Sequence, residues 1–226
     1  MTLLPLLRLS AAFAASLICA AFASAAPERW APNTDKFTQS DAANPPAPGG
    51  VVFIGSSSIV GWKSLAKDFP GIATINRGFG GSQLEDSVLY ADRIVIPYAP
   101  RIVVLYAGDN DIASGKSPET VAADFRAFRE KIHAALPDTR VLYLSIKLSP
   151  SRAKFKDAMN RANELIAADC AAAKNCGFVD VNKPLLDKAG DPRPEFFRQD
   201  QLHLLPWTYE LWAEALAPHL AEKPKS

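Results

Sequence analysis

The sequence predicts a three-layer α/β/α domain built on a five-stranded parallel sheet. Short apolar runs alternate with longer segments of helical periodicity, and this alternation is typical of βαβ units. The apolar runs are rich in β-branched residues and carry few polar side chains, which suits strands that are buried on both faces. The length of 226 residues fits one ordinary domain.

The predicted strands and helices follow one another in a regular order. The strands are predicted at Val51–Ile54, Ile72–Ile75, Ile102–Tyr106, Val141–Ile146 and Phe178–Val181. The helices are predicted at Ser58–Phe69, at Leu84–Tyr98, after Ser117, around Phe155–Ile166 and at Trp207–Ala217.

Local signals support the helix boundaries. Ser117 and Pro118 form a favourable helix start, with an N-cap serine followed by proline at the first helical position. Pro97 and Pro100 are expected to end the second helix, because proline lacks the amide hydrogen that the helix needs. The helix after Ser117 has one apolar face, with residues spaced by three or four: Val121, Phe125, Phe128, Ile132 and Leu136.

The first 25 residues read as a secretory signal peptide. Arg8 precedes an apolar run from Leu9 to Ala23, and the run ends in the small residues Ala23-Ser24-Ala25. A retained membrane anchor is the alternative, but the alanine-rich run is short for a spanning helix. We therefore expect an exported protein, periplasmic or secreted, without stable membrane insertion after cleavage. Residues 26–49 are polar and rich in proline and alanine, which predicts a surface leader before the domain at residues 50–221.

Charge and cysteine content limit the classes of partner and cofactor. The formal net charge is +1, so no nucleic-acid footprint or polybasic membrane patch is expected. Cys170 and Cys176 lie six residues apart across a predicted helix-to-strand turn. In an oxidising compartment such a pair can form a disulfide, which we favour over two inert buried thiols. Without a nearby histidine the pair makes a poor metal site.

Polar segments follow three of the predicted strands, where parallel sheets bind their ligands. These segments are Gly55–Ser58, Asn76–Ser82 and Ala107–Asp111. A fourth polar segment, Asp200–Leu204, precedes the last helix. The sequence therefore places a candidate site at the carboxyl edge of the sheet.

The fourth segment contains a candidate general base. Asp200 lies three residues before His203, so its carboxylate can accept from one ring nitrogen and stabilise the imidazolium. The other two histidines, His133 and His219, are expected at the surface. A serine hydroxyl needs such a base to become a nucleophile.

The remaining segments have both a structural and a functional interpretation. The three serines Ser56–Ser58 are typical of a helix cap, but a serine on a strand-to-helix turn can also present a nucleophile. A phosphate cradle is a third interpretation, although no P-loop lysine follows. Gly81 and Asn110 can be turn residues, or they can donate hydrogen bonds to the oxyanion of an acyl transfer.

Together, the four segments resemble the SGNH hydrolases, also called GDSL-type esterases, over about residues 50–220. The resemblance implies a flavodoxin-like sheet and a serine esterase that needs no metal or organic cofactor. The positions that match the family's functional residues are Ser57 as nucleophile, Asp200 and His203 as acid and base, and Gly81 and Asn110 with the Ser57 amide as the oxyanion hole.

The sequence departs from the family's pattern at one position. Ser56 stands where the family name has an aspartate, so Ser56 and Ser58 remain rivals of Ser57 for the nucleophile. Gly80 is likewise a rival of Gly81 for the oxyanion donor.

The expected function is hydrolysis of short-chain carboxylic esters, with acetyl, aryl or carbohydrate esters as small-molecule substrates. No long apolar insertion that would form a lid is evident in the sequence. The alternative is a non-catalytic exported module that binds a glycan on the same fold. Nothing in the sequence sets the oligomeric state.

Overall fold

The structure is a computed structural model and describes residues 29–221. The predicted signal peptide lies outside these residues. Five strands form one parallel sheet in the order β2-β1-β3-β4-β5. This order reverses between β1 and β3, as in flavodoxin-like sheets, and the predicted fold class is confirmed. The strands are β1 Val51–Gly55, β2 Thr74–Gly78, β3 Ile102–Tyr106, β4 Arg140–Leu144 and β5 Cys176–Val179.

Helices cover both faces of the sheet. They are α1 Ala31–Ala43, α2 Ser57–Gly61, α3 Leu65–Asp68, α4 Leu84–Ile94, α5 Asp109–Ala113, α6 Pro118–Ala135, α7 Lys156–Ala172 and α8 Tyr209–Ala221. Short 3₁₀ turns lie at Ile96–Tyr98, Pro150–Phe155, Lys183–Leu185, Pro194–Phe196 and Pro206–Thr208.

The sheet separates two apolar clusters. Alternate residues of β1 point to opposite faces, with Val52 and Ile54 in one cluster and Val51 and Phe53 in the other. All five residues of β1 are buried, which explains why the strand reads as a continuous apolar run. Helices α4, α6 and α7 cover the first cluster, and α2, α3 and α8 cover the second.

Several predicted boundaries differ from the structure. The helix predicted at Ser58–Phe69 is two short helices, and the Ser64 and Trp62 side chains donate to Asp68 across the break. The helix predicted to reach Tyr98 ends at Ile94. The reason is Pro97, which removes an amide donor and leaves only a 3₁₀ turn.

The second strand begins and ends later than predicted, at Thr74–Gly78. The sequence pattern did not predict the second half of β2 because this half is polar. β2 is an edge strand, and its polar side chains bind neighbouring elements. Asn76 donates to the Ile59 carbonyl of α2 at 2.7 Å. Arg77 Nη2 donates to both carboxylate oxygens of Asp41 on α1 and forms an ion pair with it.

The segment predicted as a surface leader contains α1, a helix that the sequence analysis did not predict. This helix packs against α4, where Arg93 pairs with Asp35. Immediately before α1, the Trp30 ring lies edge-on against Phe79, with 5.8 Å between ring centroids. The leader thus contacts the loop that follows β2.

Cys170 near the end of α7 and Cys176 at the start of β5 are in contact through their sulfur atoms, with Cα atoms 4.9 Å apart. This places the pair for the predicted disulfide. Among residues 29–221, no helix combines the length and apolar character needed to cross a bilayer.

Candidate active site

Ser57 lies at the carboxyl edge of the sheet, on the tight turn from β1 into α2. The turn depends on Gly55, which has a φ of 138°. A Cβ at this position would overlap the carbonyl oxygen of Tyr106 on the neighbouring strand. The chain can therefore turn here only at glycine. Ser57 follows two residues later as the first residue of α2 and remains partly exposed.

His203 comes from the other end of the chain and meets Ser57 at this edge. Its Nε2 atom lies 3.0 Å from Ser57 Oγ, which is hydrogen-bonding distance. Its Nδ1 atom lies 2.6 Å from Asp200 Oδ2. The three predicted side chains therefore form one continuous chain of hydrogen bonds.

The loop that carries Asp200 also holds the carboxylate in place. Asp200 Oδ1 accepts from the backbone amides of Leu202 and His203, each at 2.9 Å. Gln201 between them has a φ of 55°, and this left-handed residue turns the chain back on itself. The hydrogen bond with His203 lowers the pKa of Asp200 well below its usual value, and the two amides act in the same direction.

This arrangement has the geometry that proton transfer from a serine requires. With Asp200 ionised, the proton on His203 is held at Nδ1, and the Nε2 lone pair faces the Ser57 hydroxyl. The side chains of His203 and Asp200 are 34% and 48% exposed, so water can reach the pair. The site can thus deprotonate Ser57 and afterwards admit a hydrolytic water.

Ser56 and Ser58 occupy different environments from Ser57. Both are buried, at 0% and 1% exposure. Ser56 occupies the predicted N-cap position of α2, but its side chain makes no capping bond. Of the three serines on this turn, Ser57 is the one whose hydroxyl lies at hydrogen-bonding distance from His203.

Two glycines follow β2, and Gly80 lies against the candidate nucleophile. A Cβ at Gly80 would lie 3.8 Å from the Cβ of Ser57. Gly81 has a φ of 82°, in the left-handed region, and its face is covered by the Trp30 ring. The backbone can approach Ser57 closely at Gly80 because this residue carries no side chain.

Asn110, on the first turn of α5, has both ends of its amide occupied. Its Nδ2 donates to the Ser82 carbonyl at 3.0 Å, and its Oδ1 accepts from Arg152 Nη2 at 2.8 Å. An amide nitrogen carries two hydrogens, so one remains for a ligand. The bond to the Ser82 carbonyl joins Asn110 to the loop that carries Gly81 and Ser82.

Behind Asn110 lies a buried charged cluster that the sequence analysis missed. Lys147 Nζ lies 2.9 Å from Asp109 Oδ2, and both side chains are less than 5% exposed. Lys147 also donates to the Tyr106 hydroxyl at 3.1 Å, and Arg152 pairs with Asp109 at 3.2 Å. Burial raises the pKa of Asp109, but the two cations outweigh it and hold the pKa below its usual value.

The sequence did contain a signal for this cluster. Lys147 directly follows the predicted strand Val141–Ile146, at the edge where the other polar segments were recognised. A charged residue at the end of a buried strand is expected to have a partner. Its partner could not be named, because Asp109 lies on a different loop.

Within residues 29–221, no group of three or more histidine, cysteine, aspartate or glutamate side chains is placed to hold a metal ion. The candidate donors at this sheet edge are an imidazole, a side-chain amide and backbone groups, which suit an organic substrate with developing negative charge.

Known families and structures match this chain. The GDSL-like Lipase/Acylhydrolase family model matches residues 49–211. No curated protein sequence matches the chain.

Two solved structures illustrate the likeness in fold. A GDSL-like lipase from Bacteroides thetaiotaomicron has a TM-score of 0.70 at 22% identity, covering 83% of this chain and 97% of that one. A catalytic mutant of an acetylxylan esterase from Geobacillus stearothermophilus has a TM-score of 0.61 at 14% identity, covering 80% of this chain and 98% of that one.

Proposed function

The chain belongs to the GDSL-like lipase/acylhydrolase family and is an ester-bond hydrolase, and from this premise we propose that it hydrolyses short-chain carboxylic esters with Ser57 as nucleophile. His203 is the general base and acid, and Asp200 orients it. The Ser57 amide, the Gly81 amide and the Asn110 side chain form the oxyanion hole.

The reaction proceeds in two steps. His203 Nε2 takes the proton from Ser57 Oγ while the oxygen attacks the ester carbonyl carbon. The tetrahedral oxyanion collapses, the carbon–oxygen bond to the alcohol breaks, and His203 returns the proton to the leaving alcohol. His203 then deprotonates a water molecule, which attacks the acyl-enzyme, releases the carboxylic acid and restores Ser57.

The observation that carries the proposal is the 3.0 Å distance between Ser57 Oγ and His203 Nε2. These residues are 146 positions apart in the sequence, and a structural role for either does not need the other. Asp200 at 2.6 Å from Nδ1 gives His203 the tautomer that the first step needs.

Short-chain substrates are supported by the partial exposure of the site and by one structural relative. The fold is shared with an acetylxylan esterase, which supports acetyl esters of carbohydrates as one substrate class. Aryl esters and other small acetyl esters fit the same chemistry. The signal-like sequence at residues 1–25 supports export to the periplasm or the medium.

The first test compares Ser57→Ala with Ser58→Ala, using p-nitrophenyl acetate and a fluorophosphonate probe. We expect Ser57→Ala to abolish both turnover and labelling, because the nucleophile is lost. Ser58→Ala is the matched control, since Ser58 is the buried neighbour, and it is expected to keep both activities. Equal loss in the two variants would contradict Ser57 as nucleophile.

A series of p-nitrophenyl esters from acetyl to palmitoyl tests the substrate class. We expect kcat/KM to be highest for the shortest acyl chains and to fall as the chain lengthens. A maximum at the long chains would contradict the short-chain assignment. Folded wild-type protein that neither reacts with the probe nor hydrolyses any ester would instead support the glycan-binding module.

A further inference from the structure

We propose that Arg152 is a positioning residue of the oxyanion hole, acting through Asn110. The inference rests on the proposed function and extends it to a residue outside the hydrogen-bonded series Ser57–His203–Asp200. Arg152 lies on the 3₁₀ turn after β4, and its Nη2 atom donates to Asn110 Oδ1 at 2.8 Å.

The first step of the argument is orientation. An asparagine amide can sit with its oxygen or its nitrogen toward a site, and only the nitrogen donates to an oxyanion. The cation of Arg152 attracts Oδ1, and the Ser82 carbonyl attracts Nδ2 from the opposite side. The flipped amide would place its nitrogen against a guanidinium, so the donating orientation is the stable one.

The second step is polarisation. A hydrogen bond from a cation draws electron density toward Oδ1, so that the Nδ2 hydrogens become stronger donors. In a site of low dielectric this effect is larger than it is in water. Arg152 thereby strengthens the donor that meets the oxyanion and does not contact the oxyanion itself.

The third step concerns how Arg152 is held. Its Nη1 atom pairs with Asp109 at 3.2 Å, and Asp109 is shared with the buried Lys147. The cluster contains two cations and one anion, so one positive charge remains next to the candidate oxyanion hole. Because Asp109 holds the guanidinium in place, the bond from Arg152 to Asn110 is formed before the reaction and needs no reorganisation during it.

The same turn also contacts the loop of the general base. The backbone amide of Ser151 donates to the Gln201 carbonyl at 3.1 Å, and Gln201 lies between Asp200 and His203. One short segment therefore contacts both the Asn110 side and the His203 side of the site. The Ser151 contact is made by backbone, so replacing the Arg152 side chain need not disturb it.

The deciding experiment is a double-mutant cycle with Arg152→Met and Asn110→Ala on p-nitrophenyl acetate. Arg152→Met is expected to lower kcat by at least about tenfold. The loss should not exceed the one caused by removing a whole oxyanion donor, which is about 10²–10³-fold. KM is expected to stay near the wild-type value, because the interaction is made in the transition state. In the Asn110→Ala background, Arg152→Met should alter kcat less than about twofold, because the amide through which Arg152 acts is absent.

Arg152→Lys keeps the positive charge but cannot bridge two partners as a guanidinium does. We expect its kcat to lie between those of the wild type and Arg152→Met. This variant keeps the test decisive if Arg152→Met does not fold. A wild-type kcat in Arg152→Lys, or an equal loss from Arg152→Met with and without Asn110, would overturn the proposal.

The two proposals fail in different ways. Labelling of wild-type Ser57 by the fluorophosphonate, together with ester turnover, establishes the proposed function whatever the cycle returns. An additive cycle in an active, Ser57-labelled enzyme overturns only the role of Arg152.

Guanidinium ion at millimolar concentration should partly restore kcat in Arg152→Ala. The absence of any rescue in a folded variant would count against the positioning role of Arg152.

Discussion

The candidate oxyanion hole has a side-chain donor, Asn110, and a backbone donor in a loop, Gly81. These two donors are held in place by different kinds of contact. Asn110 is fixed by polar bonds to Arg152 and Ser82, with a buried ion cluster behind it. Gly81 is fixed by its left-handed backbone and by the Trp30 ring packed on its face.

The difference shows two ways to hold a donor at a site. A polar cluster gives direction and charge, but each member depends on its partners, because an unpaired buried charge is costly. Aromatic packing gives no direction, so the glycine backbone must supply the conformation itself. We therefore expect the Asn110 side to tolerate substitution less well than the Gly81 side.

The largest effect is expected from Lys147→Met, which removes a buried cation from the Asn110 side. Removing one partner of a buried ion pair typically costs about 3–5 kcal/mol of unfolding free energy. We expect a loss near the lower end of this range, because Arg152 still pairs with Asp109 in the variant. Urea unfolding measures the change. Lys131→Met is the control, because Lys131 and Asp92 form a partly exposed surface pair at 2.6 Å, worth about 0–1 kcal/mol. Equal losses in the two variants would contradict the contrast between buried and exposed pairs.

A smaller effect is expected from Gly81→Ala on the packed side. A left-handed conformation costs a residue with a Cβ about 1–2 kcal/mol, and the new Cβ would lie 3.4 Å from the Trp30 ring. We expect the unfolding free energy to fall by about that amount, and kcat to fall as the loop shifts.

Gly71→Ala provides the matched control for Gly81. Gly71 has a φ of 78°, and a Cβ there would meet nothing within 4 Å. Its backbone strain is therefore similar, but it lies away from Ser57. We expect a comparable stability loss with kcat unchanged, and an unchanged kcat in Gly81→Ala as well would argue against Gly81 as a donor.

The smallest effect is expected from Trp30→Leu. Leucine keeps apolar cover over Gly81 but loses the edge-on contact with Phe79, and such aromatic pairs contribute about 0.5–1.5 kcal/mol. We expect a stability loss in that range by thermal unfolding and a reduction of kcat that is smaller than for Gly81→Ala. Phe37→Leu is the control, because Phe37 anchors α1 on Arg77. If both variants lower kcat equally, the effect comes from docking of α1 and not from Gly81.

Much of the fold was predictable because buried parallel strands occur in the sequence as short, continuous apolar runs. The strand Ile102–Tyr106 was predicted with the bounds that the structure shows, since every residue in it is apolar and buried. The edge strand β2 was displaced, because Asn76 and Arg77 are polar residues that bind neighbouring elements. Helix α1 was missed because its sequence has no strong apolar face, and ion pairs from Arg77 and Arg93 hold it to the domain.

The sequence by itself determined the parallel α/β fold, the turn at Gly55 and the chemical types gathered at one sheet edge. These follow from apolar periodicity and from glycine at strand ends, which are local properties. Only the tertiary structure decided that His203 meets Ser57 and not its neighbours, and that Arg152 reaches Asn110. Such pairings join residues far apart in the chain, and their distances are set by how the whole sheet packs.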